Sequence, residues 1–321
     1  MRVAVTGAAG FVGTNLLHEL VAQGNEVVAI DRVTSPLAPE AGVEWVQGDI
    51  LDTKQMIKSF KDVEVVYHLV AMITLKQEDP LAWRINTEGV GSVASAAHKA
   101  GVRRFVHCSS VHSFDQHNCG DFLTEESPRS TEDCGLPVYD RSKYAGELEL
   151  HKRIDDGLDA VICNPTGVYG WRDHVTHLSR LNQMAYDSAR GRVPLSVGSG
   201  FNLVDVRDVA KGLTLAAEKG RTGENYLLPG EMVMLHDLMK GAAKEAGKFG
   251  PLFPVPLWLL KSIMPLAEPI AAMAGSDIMS EAALGSLFAQ PDVTGAKARK
   301  ELGYTSRPAS ETIHDFITEA L

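Results

Sequence analysis

Short apolar runs alternate with amphipathic stretches through the first half of the chain. The runs RVAVT (2–6), EVVAI (26–30), VEWVQ (43–47), VEVVYHLV (63–70), RRFVHCSS (103–110) and DAVICNP (159–165) are apolar and rich in β-branched residues, and each predicts a strand. Between them, FVGTNLLHELVAQG is apolar at Val12, Leu16, Leu17 and Leu20 and stops at Gly24. PLAWRINTEGVGSVASAAHKAG opens on Pro80 and closes on Gly101. Both stretches predict helices. Strands that are apolar on both faces need helices over both sides of their sheet, so the pattern predicts a doubly wound parallel α/β sheet through about residue 165.

The pattern then changes. Turn-rich NPTGVYGWRD, a polar helix, the strand-like FNLVDV and a tail rich in Pro and Met predict a smaller second domain over 166–321, with some chain returning to the first. The stretch 252–275 is very apolar, but Lys261, Glu268 and four prolines break it below the length of a membrane span, so packed helices or a cover over a site are expected.

Composition narrows the function classes. With 31 basic against 41 acidic residues the net charge is −10, and without a long basic run this argues against binding nucleic acid through its phosphates. The four cysteines form no CxxC pair and the chain opens on the strand-like MRVAVTG, which points to a reducing cytoplasm. No metal site is expected, because Cys119 in HNCG has no partner at ligand spacing. Cys108 and Cys163 end apolar runs, where a small thiol packs well.

Two motifs carry chemistry. TGAAGFVG, Thr6 to Gly13, follows the first strand and opens the first helix. There Gly7 and Gly10 let backbone approach a pyrophosphate, Gly13 permits close packing of helix on strand, and the helix terminus offers unpaired amides. Asp31, at the end of the second strand, suits both adenosine ribose hydroxyls and repels a 2′-phosphate, which favours NAD; Arg32 beside it keeps NADP as the alternative. Asp49 in GDI reads as an adenine contact or as a turn aspartate. The second motif is VYDRSKYAGELEL, which holds Tyr139 and Lys143 four residues apart on one helix face.

Taken together, TGAAGFVG, YHLVA, RINTEGV, FVHCSS, YDRSK and NPTGVYG resemble, in order and spacing, the extended short-chain dehydrogenase/reductases of the NAD-dependent epimerase/dehydratase superfamily. The match runs nearly end to end. The resemblance implies a Rossmann-type domain over 1–165 and a mainly substrate-binding domain after it. It implies Tyr139 as catalytic acid/base, Lys143 on the nicotinamide ribose and Ser110 on the substrate oxygen. The cofactor contacts it implies are Gly7, Ala9, Gly10, Phe11, Val12, Asp31, Arg32, Asp49, Ile50, Leu69, Val70, Ala71, Asn86, Tyr139, Lys143, Asn164, Thr166 and Val168. Relatives also pair through helices matching 81–100 and 139–156, which implies a homodimer.

The physics asks for these residue types. A phenol near pKa 10 must shift by about 3 units, roughly 4 kcal/mol, to exchange a proton readily at neutral pH. A lysine at about 4 Å in an effective dielectric near 20 favours phenolate by roughly that much. The histidines His68, His107 and His112 lie near the expected site, but the mechanism does not call on them.

FNLVDVRDVAKGLTLA and GRTGENYLLPGE resemble the branch of dihydroflavonol reductases and 3-beta-hydroxysteroid dehydrogenases. Sugar dehydratases carry an acidic pair where Val111 and His112 stand, which disfavours dehydration. UDP-sugar epimerases carry an arginine at the position matching Phe201; here only Arg172, Arg180 or Arg192 remain to grip a pyrophosphate. An apolar ring ketone or alcohol is the expected substrate, in a pocket formed by Met72, Ile73 and Leu75 with 252–275. A nucleotide-sugar 4-epimerase is the alternative, and a non-catalytic dinucleotide sensor a third reading.

Overall fold

Seven parallel strands form the main sheet of the computed structural model, which describes residues 1–321 apart from 40, 175–176, 263–284, 286 and 290. They are β1 (Arg2–Thr6), β2 (Glu26–Asp31), β3 (Val43–Gln47), β4 (Val65–His68), β5 (Arg104–Cys108), β7 (Ala160–Pro165) and β11 (Asn225–Leu228), with the short β6 (Phe122–Leu123) outside the sheet. The spatial order is β3-β2-β1-β4-β5-β7-β11. The strand order therefore reverses between β1 and β4, and in such sheets the crevice past the carboxyl ends of the strands at that point is where ligands bind.

The period of two along each strand sends alternate side chains into two cores. Val3 and Val5 pack with Leu16 and Leu17 of α1 (Phe11–Ala22) and with Val209 and Leu213. Ala4 and Val28 pack with Phe60, Val93, Phe105 and Leu150 on the other face. That second face is covered by α2 (Thr53–Ser59), α3 (Pro80–Asn86), α4 (Glu88–Ala100) and α5 (Val138–Asp155). Fully burying a side chain such as Phe105 contributes about 1.5–3 kcal/mol.

Three details differ from the sequence pattern. The stretch 80–101 is two helices, broken at Thr87, whose backbone is distorted within the helical region to φ −113° and ψ −73° and whose hydroxyl donates to the Trp83 carbonyl. The fourth strand ends at His68, so Leu69 to Ala71 run on past the sheet edge. The turn-rich stretch after Pro165 contains β8 (Gly167–Tyr169), which joins β10 (Gly200–Asp205) and β12 (Glu231–Met234) in a second sheet, with β9 (Ser196–Val197) beside it in sequence.

Chain beyond residue 165 returns to the main sheet: β11 pairs with β7, and α7 (Val206–Lys219) packs on α1 and β7. The second sheet is packed by α6 (Arg180–Ala189), α8 (Leu235–Glu245) and the final helix Ala309–Ala320. Most of the apolar stretch 252–275 lies outside the described residues, so the pocket expected between it and Met72, Ile73 and Leu75 does too. No described helix is long and apolar enough to cross a membrane.

Candidate active site

The glycine loop is built by absence of side chains. Gly7 has φ +78°, and a Cβ there would sit 3.0 Å from the Val70 nitrogen. At Gly13 a Cβ would sit 2.1 Å from the Gly7 carbonyl oxygen. Gly10 is the N-cap of α1, exposed and without a capping side chain, so the first amides of the helix are left for an anion. Asp31 faces this loop: one carboxylate oxygen accepts from the Ala9 amide at 3.0 Å and the other from the Arg32 amide at 2.7 Å. A cradle that any Cβ would fill, over a helix terminus and beside a carboxylate, fits a dinucleotide.

The second wall is the turn after β5. Ser110 caps the short helical turn Val111–Ser113, its Oγ accepting from the His112 amide at 3.2 Å. Facing it, α5 presents Tyr139, Lys143 and Glu147 at successive four-residue steps. On its other side Gly146 lets α5 pack closely on α3, since a Cβ there would meet the Asn86 carbonyl oxygen at 2.2 Å. The Lys143 ammonium donates to the Cys108 carbonyl at 3.1 Å.

Burial dominates the electrostatics of this pair. It pushes the Tyr139 phenol above its ordinary range, and the Ser110 hydroxyl works against that rise. Burial lowers Lys143, opposed by Cys108 and Glu147. The ammonium is turned to a backbone carbonyl at the end of β5.

Glu147 was not legible as a site residue. Its side chain is 1% exposed and accepts hydrogen bonds from four sources: Ser109 Oγ, Arg129, Asn164 Nδ2 at 2.8 Å and Asn225 Nδ2 at 3.0 Å. Asn164 Nδ2 also donates to the Ser110 carbonyl at 3.1 Å and to Ser113 Oγ at 3.0 Å. Arg129 lies over the Phe114 ring at 3.8 Å. This buried network grips the segment that carries Ser110. Four donors on one carboxylate offset the cost of burying its charge.

His112 lies with its ring 5.3 Å from that of Tyr139, and its Nδ1 donates to Asp140 at 2.9 Å. His68 and His107 stack 5.5 Å apart at the ends of β4 and β5, fully buried. Burial lowers both, His68 to about 3, with Lys143 adding to the effect.

The structure gathers Gly7, Ala9, Gly10, Phe11, Val12, Asp31, Leu69, Val70 and Ala71 at the β1/β4 crevice, with Ser110, Tyr139 and Lys143 along its far side. Arg32 is exposed beside the loop. Others are turned differently. Asn86 is buried and spends its amide on the Met72 backbone and on Ser142 Oγ, so it fixes the loop after β4. Asn164 is likewise committed to protein partners, including its Oδ1 to Asn225. Ile50 packs against Gly89 in the core. Asp49 is exposed and accepts from the Leu51 amide at 2.9 Å, the turn role. Thr166 Oγ1 is buried without a partner among the described residues, and Val168 is half-buried in β8. Among the described residues no cluster of three or more His, Cys, Asp and Glu side chains could hold a metal ion.

The chain is similar to known proteins along most of its length. Residues 3–228 match the model of the NAD dependent epimerase/dehydratase family. A Synechocystis sp. protein provisionally named dihydroflavonol 4-reductase is 32% identical over 279 residues, 84% of this chain and 80% of its own length. A 3-beta-hydroxysteroid dehydrogenase of Mycolicibacterium neoaurum is 28% identical over 94% of this chain and 86% of its own. The crystal structure of gox2253 superposes with a TM-score of 0.84 at 31% identity, covering 99% of this chain and 97% of that one.

Proposed function

This chain belongs to the NAD dependent epimerase/dehydratase family and is an NAD-dependent enzyme, and from that premise we propose that it interconverts a secondary alcohol and a ketone on an apolar, ring-containing substrate. The observation that carries the reading is the meeting of Ser110, Tyr139 and Lys143 beside the glycine loop. Bound NAD supplies the hydride acceptor in one direction and the donor in the other. Ser110 orients the substrate oxygen, Tyr139 moves a proton to or from it, and Lys143 holds the ribose side of the site. NAD rather than NADP is favoured by the Asp31 carboxylate, which would face a 2′-phosphate.

The ring-containing substrate class is supported by the names of two relatives, a dihydroflavonol 4-reductase and a 3-beta-hydroxysteroid dehydrogenase, and by the partners that the candidate arginines already have among the described residues. Arg192 is paired with Asp187 at 3.3 Å, Arg172 lies over Trp171 at 4.6 Å, and Phe201 packs in the core beneath the second sheet. Burying ring carbons contributes about 25 cal/mol per Å², whereas two poorly paired phosphates lose free energy on desolvation. We also propose a homodimer through α4 and α5, whose outer faces offer Gly91, Ser92, Ser95, Glu149 and Arg153, and a reducing cytoplasmic setting that suits the four free thiols.

The test is a panel of 1-phenylethanol, a 3-beta-hydroxysteroid and UDP-glucose, read by NADH absorbance and by chromatography of the sugar nucleotide. Alcohol oxidation that falls by about 10²–10⁴ in Tyr139→Phe while NAD binding persists is the expected result. Rapid sugar interconversion without alcohol turnover would instead make the chain a nucleotide-sugar 4-epimerase. Sedimentation at micromolar concentration as a monomer would reject the dimer.

A further inference from the structure

The proton that Tyr139 takes from an alcohol must reach water before the next turnover. Lys143 is 2% exposed, is held by the Cys108 carbonyl, and acts on the neutral, fully buried pair His68 and His107. His112 lies against Tyr139 itself. Its ring packs on that of Tyr139 with centres 5.3 Å apart, and its side chain is 37% exposed. Its backbone amide donates to Ser110 Oγ and its carbonyl accepts from Ser130 Oγ at 2.9 Å, so its backbone is fixed between Ser110 and Ser130.

A carboxylate only accepts, so the contact with Asp140 places a hydrogen on Nδ1. The lone pair of neutral His112 is then on Nε2, which has no hydrogen bond among the described residues. We propose that His112, oriented by Asp140, is the relay through which Tyr139 exchanges its proton with solvent, directly or across one water. It acts through Tyr139 and does not touch the substrate. The proton leaves the phenol oxygen for Nε2, giving an imidazolium held against the Asp140 carboxylate, and then passes from Nε2 to bulk water. Asp140 is not protonated at any point. The charged groups that act on the imidazole, Asp140 and Lys143, both come from α5, and with burial they leave it raised above its ordinary value. The inference rests on the reading of Tyr139 given above.

Two measurements test it. In histidine-labelled protein with NAD bound, the Nε2 resonance assigned by His112→Gln should move when Tyr139→Phe removes the phenol oxygen; an unmoved resonance would overturn the relay without any substrate being needed. In oxidation of 1-phenylethanol, His112→Ala should lose about tenfold or more in kcat with KM within about twofold, and added imidazole should restore most of it. Asp140→Asn, which keeps the shape, should show a smaller loss. An unchanged rate, or a loss that imidazole does not rescue, would overturn the proposal. A Tyr139→Phe enzyme that still turns over would instead overturn the functional reading beneath it.

Discussion

The two walls of the crevice are held by opposite means. On the β1–β2 side the loop from Gly7 to Gly13 works because side chains are missing, and its shape comes from backbone contacts such as Gly7 N to Ile30 O at 3.0 Å. On the β5–α5 side the turn 108–113 works because polar side chains are present and nearly all paired. The first wall is a local object within a span of about thirty residues. The second is assembled from Arg129, Glu147, Asn164 and Asn225, which the sequence scatters over almost a hundred positions. A wall of backbone tolerates no added volume, and a wall of buried charge tolerates no lost partner.

The strongest way to break the second wall is therefore Glu147→Leu. It leaves the Arg129 guanidinium, 19% exposed, without its carboxylate, and losing one partner of a buried pair costs about 3–5 kcal/mol. Urea unfolding should show that loss, and adding Arg129→Met should recover part of it. A cost under about 1 kcal/mol would mean that the network is wetter than its geometry indicates.

The first wall breaks by addition. Gly13→Ala places a Cβ against the Gly7 carbonyl, and overpacking of this kind costs about 1–3 kcal/mol. Because the strain falls on the loop itself, NADH affinity measured by fluorescence should drop by about tenfold or more, beyond the fall of a few degrees in melting temperature that the strain itself brings. Equal losses in the two would assign Gly13 to packing rather than to the cofactor.

This contrast also explains what could be read in advance. The strands β1, β2, β3, β5 and β7 and the helices α1 and α5 follow from local periodicity, and the glycine loop follows from spacing. Glu147 looks like any helix-surface glutamate in YAGELEL, because its partners come from β7, β11 and the segment before α5. His112 stands outside the mechanism that the sequence implies, and its partner Asp140, 28 residues away, is not visible in local pattern. The break at Thr87 and the short β8 depend on Trp83 and on strand β10, which local pattern does not reveal.

Acid should sharpen the comparison, since His68 and His107 stand at the ends of β4 and β5, between the walls. Both have folded values lowered by burial, so the unfolded chain binds protons first as the pH falls. Their contribution is intact above about pH 6.5 and is lost below it, by about 1.4 kcal/mol per pH unit for each imidazole, down to about 3 for His68. His107 has no partner for either ring nitrogen among the described residues. His107→Phe should flatten the stability slope between pH 6.5 and 4.5 by about one proton. An unchanged slope would mean that His107 is not kept neutral in the fold.

The smallest expected effect is at Asp31, the one side chain through which the first wall uses a charge. Its carboxylate holds the Ala9 and Arg32 amides, and on the proposed reading it also meets the ribose 2′-position and so serves the choice of cofactor. Asp31→Asn keeps one acceptor oxygen and removes the charge. Repulsion of a 2′-phosphate then disappears, and the exposed Arg32, whose guanidinium has no partner among the described residues, is left to attract it. Parallel fluorescence titrations should show NADH preferred by the parent protein and the preference narrowed by about fivefold to tenfold in the variant, about 1 kcal/mol. If NADPH binding is unchanged and only NADH weakens, Asp31 acts by shaping the loop through Ala9, and the first wall is backbone throughout.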